Sequence, residues 1–370
     1  MKKGLLISPP QWVPTAPHLA APLLAGVLRK KGFDTDAVDL SVRFYDEILS
    51  ADHLYATVKK INEIAGDPFY GNNEPDPCGR ATAQQRRIAV LNFLKDNDFD
   101  ADTFVLQTVN AVDTVRNDKA FYDPQRLFEA KEILSYALSV VSLPYYPARI
   151  AFDNYYGNNI YGYSWNALQA QAERSKDNIF YDFLKTEALR IANSGYAWIG
   201  ISVTDLSQLL AAVTLGCLTK FTAPEIRVLF GGNYLTQIRL DIETCPAFFD
   251  FCCDAVSFGD GETVFPLLVE RILSDLPLNG LPQTAYLKDG LVEVGAEDTI
   301  VFHVEETAYP CFDGYDFSLY LAPEPVFPIQ LSKGCYWGKC TFCDYFNGEP
   351  CFLVKNVSRA VDELQYYAET

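Results

Sequence analysis

Short apolar runs alternate with helical periodicities at the start of the chain. Residues 4–8 form a continuous apolar run that stops at Pro9-Pro10, which is typical of a buried parallel strand. Apolar residues then recur at helical spacing over 19–28, and residues 33–40 alternate apolar and polar positions. This order predicts one β-α-β unit.

The same alternation returns near residue 196. Apolar runs predict three further strands, and helical patterns predict two helices between and after them, in the order strand 197–203, helix 207–220, strand 226–230, strand 255–258 and helix 263–273. With the first unit they predict an α/β fold, a doubly wound parallel sheet of five strands with helices on both faces. We assign residues 1–45 and 196–275 to this domain.

Residues 46–195 lack this rhythm. Long helical patterns such as 126–141 and 166–192 are separated by tyrosine-rich turns at 154–159 and 161–163. We interpret the region as a large helical insertion whose aromatic residues are mostly core.

Residues 276–325 are rich in proline and turns, with a small hairpin predicted around Asp289-Gly290, and we interpret them as a connector. A strand predicted at 326–331, a cysteine-rich loop and a helix at 357–367 with Asn356 as its N-cap then begin a third unit, 326–370.

Composition narrows the function classes. The chain has 370 residues, of which 49% are hydrophobic, so it is globular, and its net charge of −18 disfavours a nucleic-acid partner. No stretch approaches the roughly 20 apolar residues of a membrane span, and the N-terminal apolar run is too short for a signal peptide. We therefore expect a cytoplasmic protein without a membrane partner, whose ten cysteines are thiols or metal ligands.

Three cysteines, Cys335, Cys340 and Cys343, are spaced C-x4-C-x2-C directly after the strand predicted at 326–331. Three such thiolates can hold three irons of a cubane cluster and leave the fourth iron open to a small molecule. The main alternative is zinc, for which Cys351 is the nearest spare thiol. We interpret the other cysteines as buried small apolar residues; they are Cys78, Cys217, Cys245, Cys252, Cys253 and Cys311.

Ligands of doubly wound sheets bind outside the carboxyl ends of the strands. Four of those ends carry small or glycine-bearing sequences: Ser8-Pro9-Pro10, Ser202-Val203-Thr204-Asp205 with Ser207 after it, Gly231-Gly232-Asn233, and Gly259-Asp260-Gly261-Glu262. These ends predict a binding edge, and the alternative is tight turns without a ligand. A Gly-x-Gly-x-x-Gly motif after the first strand is absent, which disfavours a nicotinamide cofactor.

The order of these parts resembles the cobalamin-binding radical S-adenosylmethionine (SAM) enzymes over about residues 1–45 and 196–370. The resemblance is strongest at the cysteine loop with its aromatic residues, at Gly200-Ile201-Ser202-Val203-Thr204 followed by Ser207-Gln208-Leu209-Leu210, and at Phe230-Gly231-Gly232-Asn233 with Gly259-Asp260-Gly261-Glu262 downstream. In that family a partial (β/α) barrel follows the cobalamin domain.

The resemblance implies an enzyme. It implies that Cys335, Cys340 and Cys343 ligate a [4Fe-4S] cluster, that Phe342 lies against the adenine of SAM, and that the four strand ends hold cobalamin. Cleavage of SAM would yield a radical that abstracts hydrogen from an unactivated carbon, to which methylcobalamin delivers a methyl group. The implied partners are a small-molecule or peptide substrate, as in natural-product maturation, and an external electron donor.

Two features depart from the family pattern. The first cysteine gap is four residues where the family usually has three, and the Asp-x-His-x-x-Gly motif for a lower cobalt ligand is absent. His18 is a weak candidate for that ligand, with a structural role as the alternative.

A non-catalytic scaffold with a vestigial cobalamin-like domain is the second function class. Because a (β/α)8 barrel needs about 250 residues, residues 326–370 are too few to complete one. We expect the chain to be the N-terminal part of a longer protein and inactive alone.

Overall fold

The computed structural model describes residues 2–96, 98–157, 164–296, 307–343 and 352–369. Its strands are β1 (Lys3–Ser8), β2 (Thr35–Asp39), β3 (Arg149–Ile150), β4 (Tyr155–Tyr156), β5 (Tyr196–Ser202), β6 (Arg227–Gly231), β7 (Ala255–Ser257), β8 (Thr284–Lys288), β9 (Leu291–Val294), β10 (Ser332–Gly334) and β11 (Phe352–Val354). Its α-helices are α1 (Ala20–Lys30), α2 (Leu40–Ile48), α3 (Ala51–Gly66), α4 (Pro77–Asp96), α5 (Ala101–Arg116), α6 (Asp118–Phe121), α7 (Pro124–Ser142), α8 (Trp165–Glu173), α9 (Tyr181–Ala192), α10 (Leu209–Thr222), α11 (Asn233–Gln237), α12 (Arg239–Glu243), α13 (Pro246–Cys252), α14 (Gly261–Leu273) and α15 (Val357–Glu369).

One sheet of seven strands, in the order β2-β1-β5-β6-β7-β8-β9, organises the structure. Its first five strands are parallel, which confirms the five predicted strands and their direction. The predicted total of five strands is wrong, because the hairpin β8–β9 that we assigned to the connector joins the sheet antiparallel to β7. Thr284, Ala285 and Tyr286 of β8 are buried, so this hairpin completes the core of the sheet.

Strand β1 shows why helices cover both faces. Its side chains alternate between the faces, as the period of a strand requires. Leu5 and Ile7 belong to the core under α10 and the insertion, whereas Leu6 belongs to the core under α1 and α14. Each such fully buried side chain stabilises the fold by about 1.5–3 kcal/mol.

The insertion between β2 and β5 is mainly helical, as predicted, and also contains the two-stranded ribbon β3–β4. Its aromatic residues extend the core of the sheet. The ring of Phe44 lies 5.0 Å from that of Phe180 and 5.5 Å from that of Phe183, and all three are buried. A buried ion pair, Arg86 Nη2 to Asp177 Oδ1 at 2.6 Å, ties α4 to the segment before α9. Of the predicted turns, 161–163 and the last two residues of 154–159 lie outside the described residues, and Tyr155–Tyr156 of the first forms strand β4.

The strand predicted at 326–331 is wrong. Pro328 removes a backbone donor from that apolar run, and the run is irregular in the structure. The short strand β10 instead begins at Ser332 and pairs antiparallel with β11. Within 307–343 and 352–369 the structure contains this antiparallel ribbon and helix α15, and it does not confirm the predicted start of a parallel barrel.

Helix α15 confirms the predicted C-terminal helix. The side-chain oxygen of Asn356 accepts from the backbone N–H of Arg359 at 2.8 Å, as expected of an N-cap. A buried ion pair between Lys355 and Glu363 and a hydrogen bond from Tyr367 Oη to the carbonyl of Pro328 at 3.2 Å fix the helix to the preceding segment. No helix in the described ranges has both the length and the apolar character that crossing a membrane requires.

Candidate functional site

The ends of β5 and β6 meet through their backbones. The N–H of Val203 donates to the carbonyl of Gly231 at 2.7 Å, and the N–H of Tyr234 donates to the carbonyl of Val203 at 3.2 Å. Gly232 has φ +113°, and a Cβ at this position would lie 2.2 Å from the carbonyl oxygen of Val203. Only glycine fits here, which leaves the backbone beside it half-exposed at the sheet edge.

Gln208 fixes the loop after β5, and the sequence analysis named it only within the motif Ser207-Gln208-Leu209-Leu210, not as a site residue. Its Oε1 accepts from the N–H of Thr204 at 2.8 Å and from the hydroxyl of Thr204 at 2.9 Å. Its Nε2 donates to the carbonyl of Pro9 at 3.1 Å. The pattern of Asp205 with Gln208 three residues later is a capping-box signal, and both halves of that box form.

Not every predicted site residue is accessible. Ser8, Pro9 and Pro10 are buried, and so are Val203 and Ser207. The hydroxyl of Ser207 donates to Asn154 Oδ1 of the insertion at 2.7 Å. The reachable part of the edge consists of other predicted residues, which are Ser202, Thr204, Asp205, Gly231, Gly232, Asn233, Gly259, Asp260, Gly261 and Glu262.

The carboxyl end of β2 holds a buried acid that the sequence analysis missed. Asp39 is only 4% exposed, and its Oδ1 accepts from the N–H groups of Ser41 and Val42 at 2.8 and 3.2 Å. Its Oδ2 accepts from the hydroxyl of Tyr320 at 2.8 Å. Burial raises the pKa of Asp39 to about 6, and these hydrogen bonds oppose part of that increase.

The loop 259–262 joins the sheet edge to the cysteine loop. The carboxylate of Asp260 forms an ion pair with Lys333, which lies two residues before Cys335. Burial raises the pKa of the Glu262 carboxyl, and the positive charge of Lys333 acts in the opposite direction. Lys333 was not a predicted site residue, because no local pattern indicates its distant partner.

The cysteine loop is open to solvent. Cys340 and Cys343 are exposed, Cys335 is half-buried, and the Phe342 side chain is 89% exposed. The backbone N–H groups of Trp337 and Gly338 donate to the sulfur of Cys335 at 3.3 and 3.5 Å.

These features have the donor chemistry of an iron–sulfur site, in which thiolates bind iron and amide N–H groups surround the sulfur. Within the described ranges, however, no three His, Cys, Asp or Glu side chains converge closely enough to hold a metal ion. The three predicted ligands therefore share one loop without meeting at a point. Cys351 lies outside the described residues.

The other cysteines only partly match the prediction that they are buried. Cys252, Cys253 and Cys311 are buried, but Cys217 and Cys245 are partly exposed and Cys78 is exposed.

His18 has a structural environment. Its Nδ1 accepts from the N–H of Ala20 at 3.1 Å, and its ring lies edge-on to Trp12 with centroids 4.6 Å apart. Burial lowers the pKa of His18 to about 4. Because Nδ1 accepts this hydrogen bond, the neutral ring carries its proton on Nε2, and its one lone pair, on Nδ1, is already engaged. The contacts favour the structural alternative.

No protein family model matches the chain. The chain is 29% identical over 147 residues to an uncharacterized methyltransferase, PH0819, of Pyrococcus horikoshii, a match that covers 39% of this chain and 30% of that protein. The chain is similar to a methyltransferase. This finding agrees with the resemblance that the motifs suggested.

Solved structures with partial similarity are radical SAM proteins. TsrM of Kitasatospora setae, a radical SAM methyltransferase with cobalamin and a [4Fe-4S] cluster bound, has a TM-score of 0.45 and 10% identity over all of this chain and 46% of TsrM. Its structure with tryptophan and a SAM analogue has a TM-score of 0.35 and 10% identity over 80% and 30%. OxsB, a cobalamin-dependent SAM radical enzyme, has a TM-score of 0.38 and 15% identity over 50% and 25%. The chain spans less than half the length of each of these proteins.

Proposed function

We propose that this chain is the cofactor-binding part of a cobalamin-dependent radical SAM methyltransferase. The observation that carries the proposal is the ion pair between Lys333 and Asp260, which brings the loop of three cysteines to the carboxyl edge of the parallel sheet. The residues proposed for the iron–sulfur cluster thereby lie next to those proposed for cobalamin. The sequence identity with a methyltransferase supports the reaction class.

When bound, the cluster supplies the electron that cleaves SAM, and cobalamin supplies the methyl group. In this proposal the thiolates of Cys335, Cys340 and Cys343 bind the cluster, and the amides of Trp337 and Gly338 stabilise the charge on the first sulfur. The exposed ring of Phe342 offers a stacking surface for the adenine of SAM.

The corrinoid would lie along the reachable strand ends. The backbone of Gly231 and Gly232 allows its close approach, and the half-buried Ser202 and Thr204 offer hydroxyls. Gln208 orients the loop that carries Thr204, because its amide holds that loop against the end of β1.

The finer points of the proposal rest on the resemblance. They are methylation of an unactivated carbon in a peptide or natural-product substrate, an external electron donor, and a cytoplasmic location in which the thiols stay reduced. They also include a division into 1–45 with 196–275 for cobalamin, 46–195 as insertion, 276–325 as a connector whose hairpin β8–β9 joins the sheet, and 326–370 as the incomplete start of the radical SAM domain.

Anaerobic reconstitution tests the cluster. We expect the wild-type chain to bind about four irons and four sulfides after treatment with iron and sulfide. The triple variant with Cys335, Cys340 and Cys343 changed to alanine should bind almost none. The exposed Cys78→Ala variant is the matched control and should bind as the wild type does. A triple variant that retains its iron, or a wild-type chain that binds only zinc, would refute the cluster.

Corrinoid retention tests the second cofactor. The chain is incubated anaerobically with hydroxocobalamin and desalted, and its visible spectrum is recorded per mole of protein. Near-stoichiometric corrinoid is expected. A folded chain, verified by circular dichroism, that retains no corrinoid would contradict the methyl-transfer proposal.

A further inference from the structure

Lys333 connects two segments that are remote in the sequence. It lies in the ribbon strand β10, and its partner Asp260 immediately precedes helix α14. The two side chains are only 22% and 33% exposed. A partly buried pair is screened less by salt than a surface pair, so it constrains the distance between its segments more firmly.

The ion pair lies close to both proposed cofactor regions, the cysteine loop and the carboxyl edge of the sheet. Lys333 is followed by Gly334, which has φ +86°, and then by Cys335. Asp260 is preceded by Gly259, whose N–H donates to Thr236 Oγ1 at 2.9 Å after β6. A movement of the Lys333 ammonium would therefore shift the first proposed cluster ligand relative to the strand ends.

We propose that Lys333 is a positioning residue that sets the separation between the cysteine loop and the cobalamin edge through its ion pair with Asp260. The inference rests on the proposed function, in which both cofactors serve one substrate. Such chemistry depends steeply on geometry, since a displacement of about 1 Å can lower a rate about 100-fold.

Charge reversal and charge exchange test the proposal. The variants are Lys333→Asp, Asp260→Lys and the double exchange, and the matched control is Lys288→Asp, which reverses one charge of an ion pair on the hairpin β8–β9. All are reconstituted with cluster and corrinoid. The readout is the magnetic coupling between the reduced cluster and cob(II)alamin in electron paramagnetic resonance, which reports their separation.

We expect each single reversal to change the coupling at least twofold with unchanged iron content, and the double exchange to restore it. Lys288→Asp should match the wild type. Single variants with wild-type coupling would overturn the positioning role. So would a double exchange that fails to restore the coupling, provided that the Lys288→Asp control keeps the wild-type coupling.

A second readout needs neither cofactor. A carbodiimide joins a paired ammonium and carboxylate as an amide, so the chain without cofactors should yield a peptide linking residues 333 and 260 in the wild type and in the double exchange. Absence of this link in a folded wild-type chain that still binds iron and corrinoid overturns the positioning role and leaves the proposed function standing. A wild-type chain that forms the link but binds neither cofactor overturns the proposed function, and the positioning role with it.

Discussion

The burial of Asp39 makes the stability of the fold depend on pH. Its pKa is about 6 in the folded chain and 3.8 in the reference state, because burial disfavours the carboxylate. Between these values the unfolded chain has lost its proton while the folded chain keeps it. The contribution of protonated Asp39 to the free energy of unfolding is therefore complete below about pH 4. It falls as the pH rises and is lost above about pH 6.

The difference of about two units corresponds to about 3 kcal/mol. About half of it, near 1.4 kcal/mol, is lost between about pH 5 and pH 7.5, a range that avoids the isoelectric point near 4.6. Asp39→Asn abolishes this titration and keeps an amide oxygen to accept from the N–H groups of Ser41 and Val42.

Urea unfolding of both proteins at several pH values measures the effect. The free energy of unfolding of Asp39→Asn should rise relative to the wild type by about 1.4 kcal/mol from pH 5 to pH 7.5, since the titrations of other groups cancel in the difference. The exposed Glu63→Gln variant should run parallel to the wild type. Parallel curves for Asp39→Asn would refute the reasoning.

Two further substitutions test the packing. Gly232→Ala should destabilise the fold by more than about 3 kcal/mol, because it combines an unfavourable φ with a clash against a backbone carbonyl. The control Gly280→Ala, also at positive φ but in open space, should cost about 1–2 kcal/mol. Equal losses of the free energy of unfolding in urea would contradict this reasoning. Asp177→Ala leaves Arg86 buried without its carboxylate and should cost about 3–5 kcal/mol. Glu63→Ala, which removes an exposed ion pair with Lys59, should cost less than about 1 kcal/mol. A similarly small loss for Asp177→Ala in thermal unfolding would show that the buried pair is dispensable.

Strands β1, β6 and β7 were predictable because burial on both faces makes them apolar runs that end at proline or glycine, whereas β2 was predictable from its alternation of apolar and polar positions. The position of the hairpin β8–β9 in the sheet was not predictable, because the sequence of the hairpin does not indicate that it pairs with β7. The strand predicted at 326–331 does not form because Pro328 removes a backbone donor from an apolar run that otherwise has the pattern of a strand.

The same distinction applies to the candidate site. Gly232 was recognisable because a glycine at a strand end indicates a turn that needs positive φ or a close backbone approach. The burial of Ser8 was not, since it arises from tertiary packing that the local sequence does not describe. The ion pair of Lys333 with Asp260 likewise joins residues whose proximity no local spacing encodes.

The position of the insertion has a consequence for the order of folding. Strand β1 pairs with β2 on one side and with β5 on the other, so that Leu5 lies beside Asp36 and also beside Ile199. The second pairing closes a loop of roughly 200 residues, which costs more chain entropy than the first and slows folding. An insertion that forms its helices early shortens this loop. Destabilising the helices between β2 and β5 is therefore expected to delay assembly of the sheet itself, although none of them contributes a strand to it.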